Sequence, residues 1–494
     1  MTFDEFYKNL GLEKYPFNVF MAEKETDVLE EIYLRFPNQS LISDSIKSCS
    51  TIIVGERGSG KTALSVDLQK EIVAPDSLLV PIDEFSDLAT NYKSEDLYKF
   101  LTSRISLSLF TTLTLRRISL WNISKDDRLY LSYFLHEYVG AASKRQLENT
   151  IASIQNGPIK SSAIKVYNAC RGIMNYGLKA FTKVMSDAIS RHFSALPQID
   201  DSDLNYFKKI DSETDMSFDA QRRAYFYLEK ICELARKCGL KKIYLFIDKI
   251  DEDPRFDNDA EKIADYIALI CSDNKLMSAS FFNVVFFAWS TPFNYIKERV
   301  RTNKLGVHSL DWQDKQLHSA LNQRIKAHSF SRSGSISSLL DEEAIANSNT
   351  IFEMCNRNPR DLWHIMNSIL EEQYAEDPTK KVSVNSLHKG IDQFVQKFNY
   401  YEYYPKKQNS RANSMDVYRY INHLLKLDDI KFTKDKLNNL AGTGGSTNNY
   451  VVQMQNIGLI KMTNEKAQGG AVVYQIVDPK VRYAMTHRVQ IGEN

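Results

Sequence analysis

The sequence predicts an α/β fold: a core on a parallel sheet, interrupted by a helical insertion and followed by a helical lid and a C-terminal winged-helix domain. Three observations predict it. The apolar, β-branched run Thr51–Val54 leads into Gly55-Glu56-Arg57-Gly58-Ser59-Gly60-Lys61-Thr62 and then a helical pattern over Ala63–Ile72. A second apolar run, Lys242–Ile247, ends in Asp248, with Asp251 and Glu252 close behind. The tail from Met415 holds three amphipathic helical patterns and two strand patterns. Buried parallel strands read as continuous apolar runs, and their C-terminal ends are where such sheets bind ligands.

The octet at 55–62 fits the Walker A pattern, in which each fixed residue has a physical task. Gly55, Gly58 and Gly60 let the backbone take positive φ and approach an anion closely. The amides opening the next helix then point at that anion. Lys61 neutralises β- and γ-phosphates, and the Thr62 hydroxyl helps coordinate Mg²⁺. Gly55, Glu56, Arg57, Gly58, Ser59, Gly60, Lys61, Thr62 and Ala63 are therefore the expected phosphate site.

Ser77–Asp83 reads as the next strand, and a mostly helical stretch follows, divided at Asn156-Gly157-Pro158 and Leu196-Pro197. Asp248, leaving the strand Lys242–Ile247 at its C-terminal edge, is the natural Walker B ligand of Mg²⁺. Glu252 is the preferred general base, with Asp251 as helper to the metal or as the base itself, because the role needs an ionised acceptor in reach of water. Asn283–Trp289 makes another strand, after which Ser290 and Thr291 either face the nucleotide or cap a helix. Asn294–Arg301 reads as helical and places Arg299 and Arg301 near the sheet edge, where either could serve a neighbouring subunit as an arginine finger.

At 494 residues, 43% apolar and 25% charged, the chain has the composition of a globular protein of two to four domains. It has no apolar run of about 18 residues, so no membrane span is expected. The six cysteines lack metal-like spacing and suit buried thiols in a reducing, cytoplasmic setting. Net charge is +1, but Leu101–Asp200 holds thirteen basic residues against six acidic ones. Such an insertion suits nucleic-acid phosphates, a solvated helical face or an acidic partner equally well.

Leu245-Phe-Ile-Asp-Lys-Ile-Asp-Glu252 resembles the Walker B of STAND-type NTPases in the NACHT style. The 55–62 loop and Leu310-Asp311-Trp312 resemble bacterial orphan ATPases of the AAA+/STAND supergroup, which often accompany antiviral defence or mobile-element genes. Asn358-Pro359-Arg360-Asp361-Leu362 resembles the sensor 2 region of that supergroup, where an arginine or proline on the lid meets the nucleotide: Arg360 matches the arginine and Pro359 the proline. Lys249 departs from the pattern, which usually has a small residue there. The resemblance implies ATP and Mg²⁺ as ligands, Ser290 as a γ-phosphate sensor, and a lid that closes on nucleotide.

The expected organisation is a lead-in over 1–40, the core over 41–312 with its insertion near 100–215, a lid over 313–397, a linker over 398–414 and the winged helix over 415–494. Arg324 in the lid reads as a solvated position or a second nucleotide-facing arginine. The linker FNYYEYYPKKQNSRA suits a packed connector better than a base-stacking strip. Helices over Asp416–Leu427, Thr433–Ala441 and Ser446–Ile457, then a hairpin turning at Gly469-Gly470, make the tail. The function implied is an ATP-hydrolysing switch or scaffold that self-associates or recruits an effector protein, such as a nuclease or toxin, in antiviral defence. The alternative is a DNA-binding initiator or loader ATPase resembling origin-recognition proteins.

Overall fold

The computed structural model describes residues 1–20, 24–25, 29–116, 120, 123–139, 196–197, 220–405 and 416–492. Five parallel strands form the central sheet: β1 (Thr51–Gly55), β2 (Ser77–Ile82), β3 (Lys242–Ile247), β4 (Asn283–Trp289) and β5 (Gly306–Ser309). Their order is β2-β3-β4-β1-β5. β4 therefore lies between β1, which feeds the phosphate loop, and β3, which carries Asp248. Gly55 pairs in register with Trp289, and Ile247 with Phe286, so the three loops leave the sheet at one edge. β1 and β2 are buried along their whole length, which is why they lack polar alternation.

Each sheet face has its own apolar layer. Helices Ser94–Arg116, Ala220–Lys237 and Ala260–Ser272 cover one face. The other layer runs unbroken from the N-terminal lead-in through the phosphate-loop helix and the lid into the C-terminal unit. The lead-in begins with helix Phe3–Asn9, whose Thr2 and Glu5 form a reciprocal cap. Phe3 packs edge-on to Tyr374, Leu12 bridges to Ser329, and the Tyr15 hydroxyl donates to Asn367 at 2.8 Å. The lead-in is thus part of the lid surface.

The lid comprises helix Asp314–Ala327, three short helices, and the antiparallel pair Pro359–Glu376 and Val384–Lys397. That pair approaches closely because Gly390 has no side chain: a Cβ there would lie 2.5 Å from the Ile369 Cα. Helix Tyr400–Tyr403 connects the lid to the C-terminal unit, and both Tyr400 and Tyr404 are buried. That unit holds helices Val417–Leu424, Lys434–Ala441 and Thr447–Asn456. Its sheet runs in the order β6-β8-β7, with β6 at Lys431–Phe432, β7 at Ile460–Lys466 and β8 at Val472–Ile476. The last helix, Pro479–His487, turns back to the lid, where the Tyr483 hydroxyl donates to Asp392 at 2.9 Å.

Several sequence expectations change. β5, β6 and the last helix have no counterpart among the elements the sequence predicts. The helix expected over 294–301 is instead Ser290–Ile296 with a short 3₁₀ turn at Lys297–Arg299. Much of the basic insertion, including Lys144 to Arg191 and the Asn156–Pro158 turn, lies outside the described residues, as do Lys406, Lys407 and Arg411. Within them, Arg104 is buried and donates to the Glu84 carbonyl and to Asp87, so it belongs to the core. Among the described residues, no helix is long and apolar enough to cross a membrane.

Candidate functional site

A cavity of about 630 Å³ opens where the sheet edge, the lid and the lead-in meet. Arg57, Gly58, Gly60, Lys61, Thr62 and Ala63 line it, with Asp248, Asp251 and Glu252 opposite and Arg360 on the lid side. Gly55, Glu56 and Ser59 stand behind this wall. The loop is tightly wound: Gly58 and Gly60 have φ of 78° and 88°, and a Cβ on Gly55 would meet Ser59 Oγ at 2.6 Å. The N–H groups of Gly58, Gly60, Lys61 and Thr62 donate to no group among the described residues. Lys61 Nζ lies over the same loop, 3.1 Å from the Gly55 carbonyl and 3.0 Å from that of Glu56. Four unpaired amides and an ammonium at a helix start suit a chain of phosphates.

Thr62 Oγ1 donates to Asp248 Oδ2 at 3.1 Å, which brings two hard oxygen donors together. That pair fits Mg²⁺, and Thr62 and Asp248 are the residues that would hold it. Burial pushes the Asp248 carboxyl up to about 6, Lys61 pulls it down and Asp251 adds to the rise. Taking up a cation must therefore release a proton below pH 6. Mg²⁺ affinity is expected to weaken as pH falls through about 6, because the proton and the cation compete for Asp248. Titrating Mg²⁺ between pH 5 and 7 checks this, and a flat profile refutes it. For folding alone the sign is opposite. An acid raised from 3.8 to about 6 costs stability when ionised, and that cost is recovered as pH falls from about 6 toward 3.8.

The two candidate bases differ in their surroundings. The Asp251 side chain is largely buried, and its carboxylate accepts from Arg57 Nε at 3.0 Å. Burial raises that carboxyl, but Lys61 and Arg57 together outweigh it, and the net shift is downward. Glu252 is exposed to the cavity, and its carboxylate makes no hydrogen bond among the described residues. Lys249, between them and Asp248, takes a left-handed φ of 65°, which turns the chain so that its own amide donates to Asp248 Oδ1 at 2.9 Å.

Ser290 does not line the cavity. It opens the helix after β4, and Trp289 occupies the strand end instead. The Trp289 indole N–H donates to Glu56 Oε2 at 3.0 Å, and the Arg57 guanidinium lies 4.2 Å from its ring centroid. Trp312 likewise donates to the Ser59 carbonyl at 2.8 Å and pins the loop from the lid side. Arg299 and Arg301 are exposed and lie outside the cavity.

Arg360 sits at the start of the helix Pro359–Glu376, whose cap Asn358 also donates to the Arg57 carbonyl at 2.6 Å. Gly58 makes this approach possible, since a Cβ there would come within 2.4 Å of Asn358 Oδ1. Arg324 is not a solvated position. It is buried under the lead-in, donates to Pro16, Val19 and Glu25, and lies 4.9 Å from the Trp363 ring. Its place was visible in the spacing, because Leu317, Ala320, Leu321, Arg324 and Ile325 form one helical stripe.

The lead-in supplies a wall that no motif announced. Val19, Phe20, Ile32, Tyr33 and Phe36 face the cavity beside Trp363 and His364 from the lid. Phe20 stacks on His364 with ring centroids 3.8 Å apart, and burial together with Arg360 lowers the His364 pKa to about 4, so that ring is neutral at pH 7. An uncharged aromatic wall beside a phosphate cradle suits a planar base.

The chain matches no protein-family model and no curated protein. Among solved structures it is similar to the Cdc6p of Pyrobaculum aerophilum, at 9% identity over 98% of this chain and 99% of that one, with a TM-score of 0.30. It is also similar to Aeropyrum pernix ORC2 in ADPNP–ADP complexes, at 11% identity over 97% and 98%, with a TM-score of 0.37. Drosophila ORC bound to DNA matches at 11% identity over 98% and 91%, with a TM-score of 0.28. These likenesses are too slight to carry function. The fold, a P-loop core with an added strand between its two motif strands, rests on the sheet order and loop geometry of the chain itself.

Proposed function

We propose that this protein is a Mg²⁺-dependent ATPase whose nucleotide occupancy sets the position of its lid. The observation that carries it is the ring of four unpaired amides with Lys61, set in a cavity walled by both core and lid. A ligand touching both walls shifts the equilibrium between open and closed forms by its differential affinity for them. Lys61 and the loop amides hold the phosphates, Thr62 and Asp248 hold the cation, and Arg360 meets the nucleotide from the lid. When bound, Mg²⁺ supplies charge neutralisation on the phosphates. Glu252 accepts the proton of the attacking water, while Asp251, held by Arg57, keeps the strand end in place. Labelled ATP should be retained in the presence of Mg²⁺ and converted slowly to ADP and phosphate. No uptake in any assembly state would end this reading.

Two outputs compete: recruitment of an effector in antiviral defence, and contact with duplex DNA in the manner of an initiator. The described residues favour the second. The helix Thr447–Asn456 exposes Asn448, Asn449, Gln455 and Asn456, which can hydrogen-bond base edges. The unit Asp416–Gly492 carries ten basic residues against six acidic ones, and Lys461 and Lys466 are exposed on the hairpin. With so few cations the phosphate contribution is small. Duplex affinity is expected to be modest and to fall with a log–log salt slope of about −2 to −4. Titrations at several salt concentrations check this, and absence of duplex binding at low salt returns the choice to a protein partner.

A further inference from the structure

Arg57 occupies a position that the phosphate-loop pattern leaves free, yet its side chain has several partners. Its guanidinium stacks on Trp289 and donates through Nε to Asp251 and through its terminal nitrogens to the Asp251 carbonyl and to Asn258 Oδ1. Its own carbonyl accepts from the lid residue Asn358. The contacts continue beyond Asn258, whose amide donates to the carbonyls of Tyr401 and Tyr404 in the connector. The Tyr404 hydroxyl then donates to the fully buried Asp478 at 2.8 Å, inside the C-terminal unit. A second route reaches the same point: Asp361, next to Arg360, lies 3.5 Å from the fully buried Lys480, which is itself 3.7 Å from Asp478.

We propose that Arg57 is a positioning residue that joins the phosphate loop, the Asp251 strand end and the connector into one mechanical element, so that filling the phosphate site alters how the C-terminal unit is attached. This rests on the ATPase reading above and specifies its output. The physical reason is the planar fork: one guanidinium can bind Asp251 and Asn258 at once, and a change in loop path must be shared with both. By linkage, a ligand on the C-terminal unit then changes ATP affinity by the same factor.

The test is hydrogen–deuterium exchange of the full chain with and without saturating MgATP, read over 399–405 and 417–424, beside ATP binding by equilibrium dialysis. In the wild type, MgATP is expected to change exchange in both segments by about tenfold, the size of a typical coupling. Asn258→Gly keeps the left-handed backbone that Asn258 adopts at φ 60° while removing its amide. It should bind ATP within about threefold of wild type yet lose the nucleotide-dependent change. Arg57→Lys, compared at equal saturation, should lose it too, because an ammonium lacks the fork. The inference is overturned if either variant keeps the full change, or raises exchange equally with and without ATP as a merely structural tie would. Wild type that binds ATP without any response at 399–405 also overturns it. Wild type that binds no ATP fails the ATPase reading first, and the two failures are thereby told apart. Should Arg57→Lys fail to fold, Asn258→Gly decides.

Discussion

Replacing Lys61 by alanine is expected to weaken MgATP binding at least about a hundredfold, roughly 2.7 kcal/mol, the loss of charge-assisted contacts to two phosphates. Two effects add. The direct one is removal of the only lysine ammonium poised over the loop carbonyls of Gly55 and Glu56 among the described residues. The indirect one acts through the acids opposite. Lys61 is the main cation holding down the pKa of buried Asp248, and it does the same for Asp251. Without it the Asp248 carboxyl moves above its present value of about 6 and holds its proton nearer neutrality, so the cation is lost along with the phosphates. Calorimetric titration with MgATP measures the loss. A thermal melt confirms that the variant is folded, and near-normal affinity in that folded variant would sink the phosphate-site assignment.

The second large effect is on turnover. Glu252→Gln should lower hydrolysis by about 10²- to 10⁴-fold, the usual worth of a positioned general base. ATP binding should stay near wild type, so the variant accumulates bound triphosphate. Because Glu252 is exposed and its carboxylate makes no hydrogen bond among the described residues, stability should change by no more than about 0.5 kcal/mol. Asp251→Asn offers the contrast. It breaks the part-buried pair with Arg57 and is expected to cost about 1–3 kcal/mol of stability as well as activity. Single-turnover phosphate release with paired melts separates the two. Wild-type hydrolysis in Glu252→Gln, with loss confined to Asp251→Asn, would transfer the base role to Asp251.

The parts of the site legible in the sequence are those whose chemistry needs fixed spacing. A strand, an eight-residue loop and a helix must follow one another without gaps, and an acid must stand at the end of a buried apolar run. Both could be located to the residue. What stayed hidden depends on contacts between distant segments. Val19, Phe20, Ile32, Tyr33 and Phe36 follow no period of 2 or 3.6 in the sequence, so their place beside Trp363 and Arg324 has no local signature. β5 reads Gly-Val-His-Ser, four residues too polar to stand out, and is made a strand by pairing with β1. The hydroxyls of Ser290 and Thr291 look more like nucleotide sensors than the ring before them, yet Trp289 at the strand end is what touches Glu56 and Arg57. Arg324 shows a different failure. Its helical stripe placed it inside, and only its charge argued for water, a desolvation cost that three carbonyl and carboxylate acceptors offset.

The clasp of Arg324 on the lead-in bears on the order in which this chain can become competent. Arg324 and its acceptor Pro16 are 308 positions apart, so during synthesis the aromatic segment emerges long before the groups that will seat it. Until the lid helix has been made, nothing from it can cover that segment. On the proposed ATPase reading, the wall for the base is completed only when the late-made lid folds back over the lead-in made early.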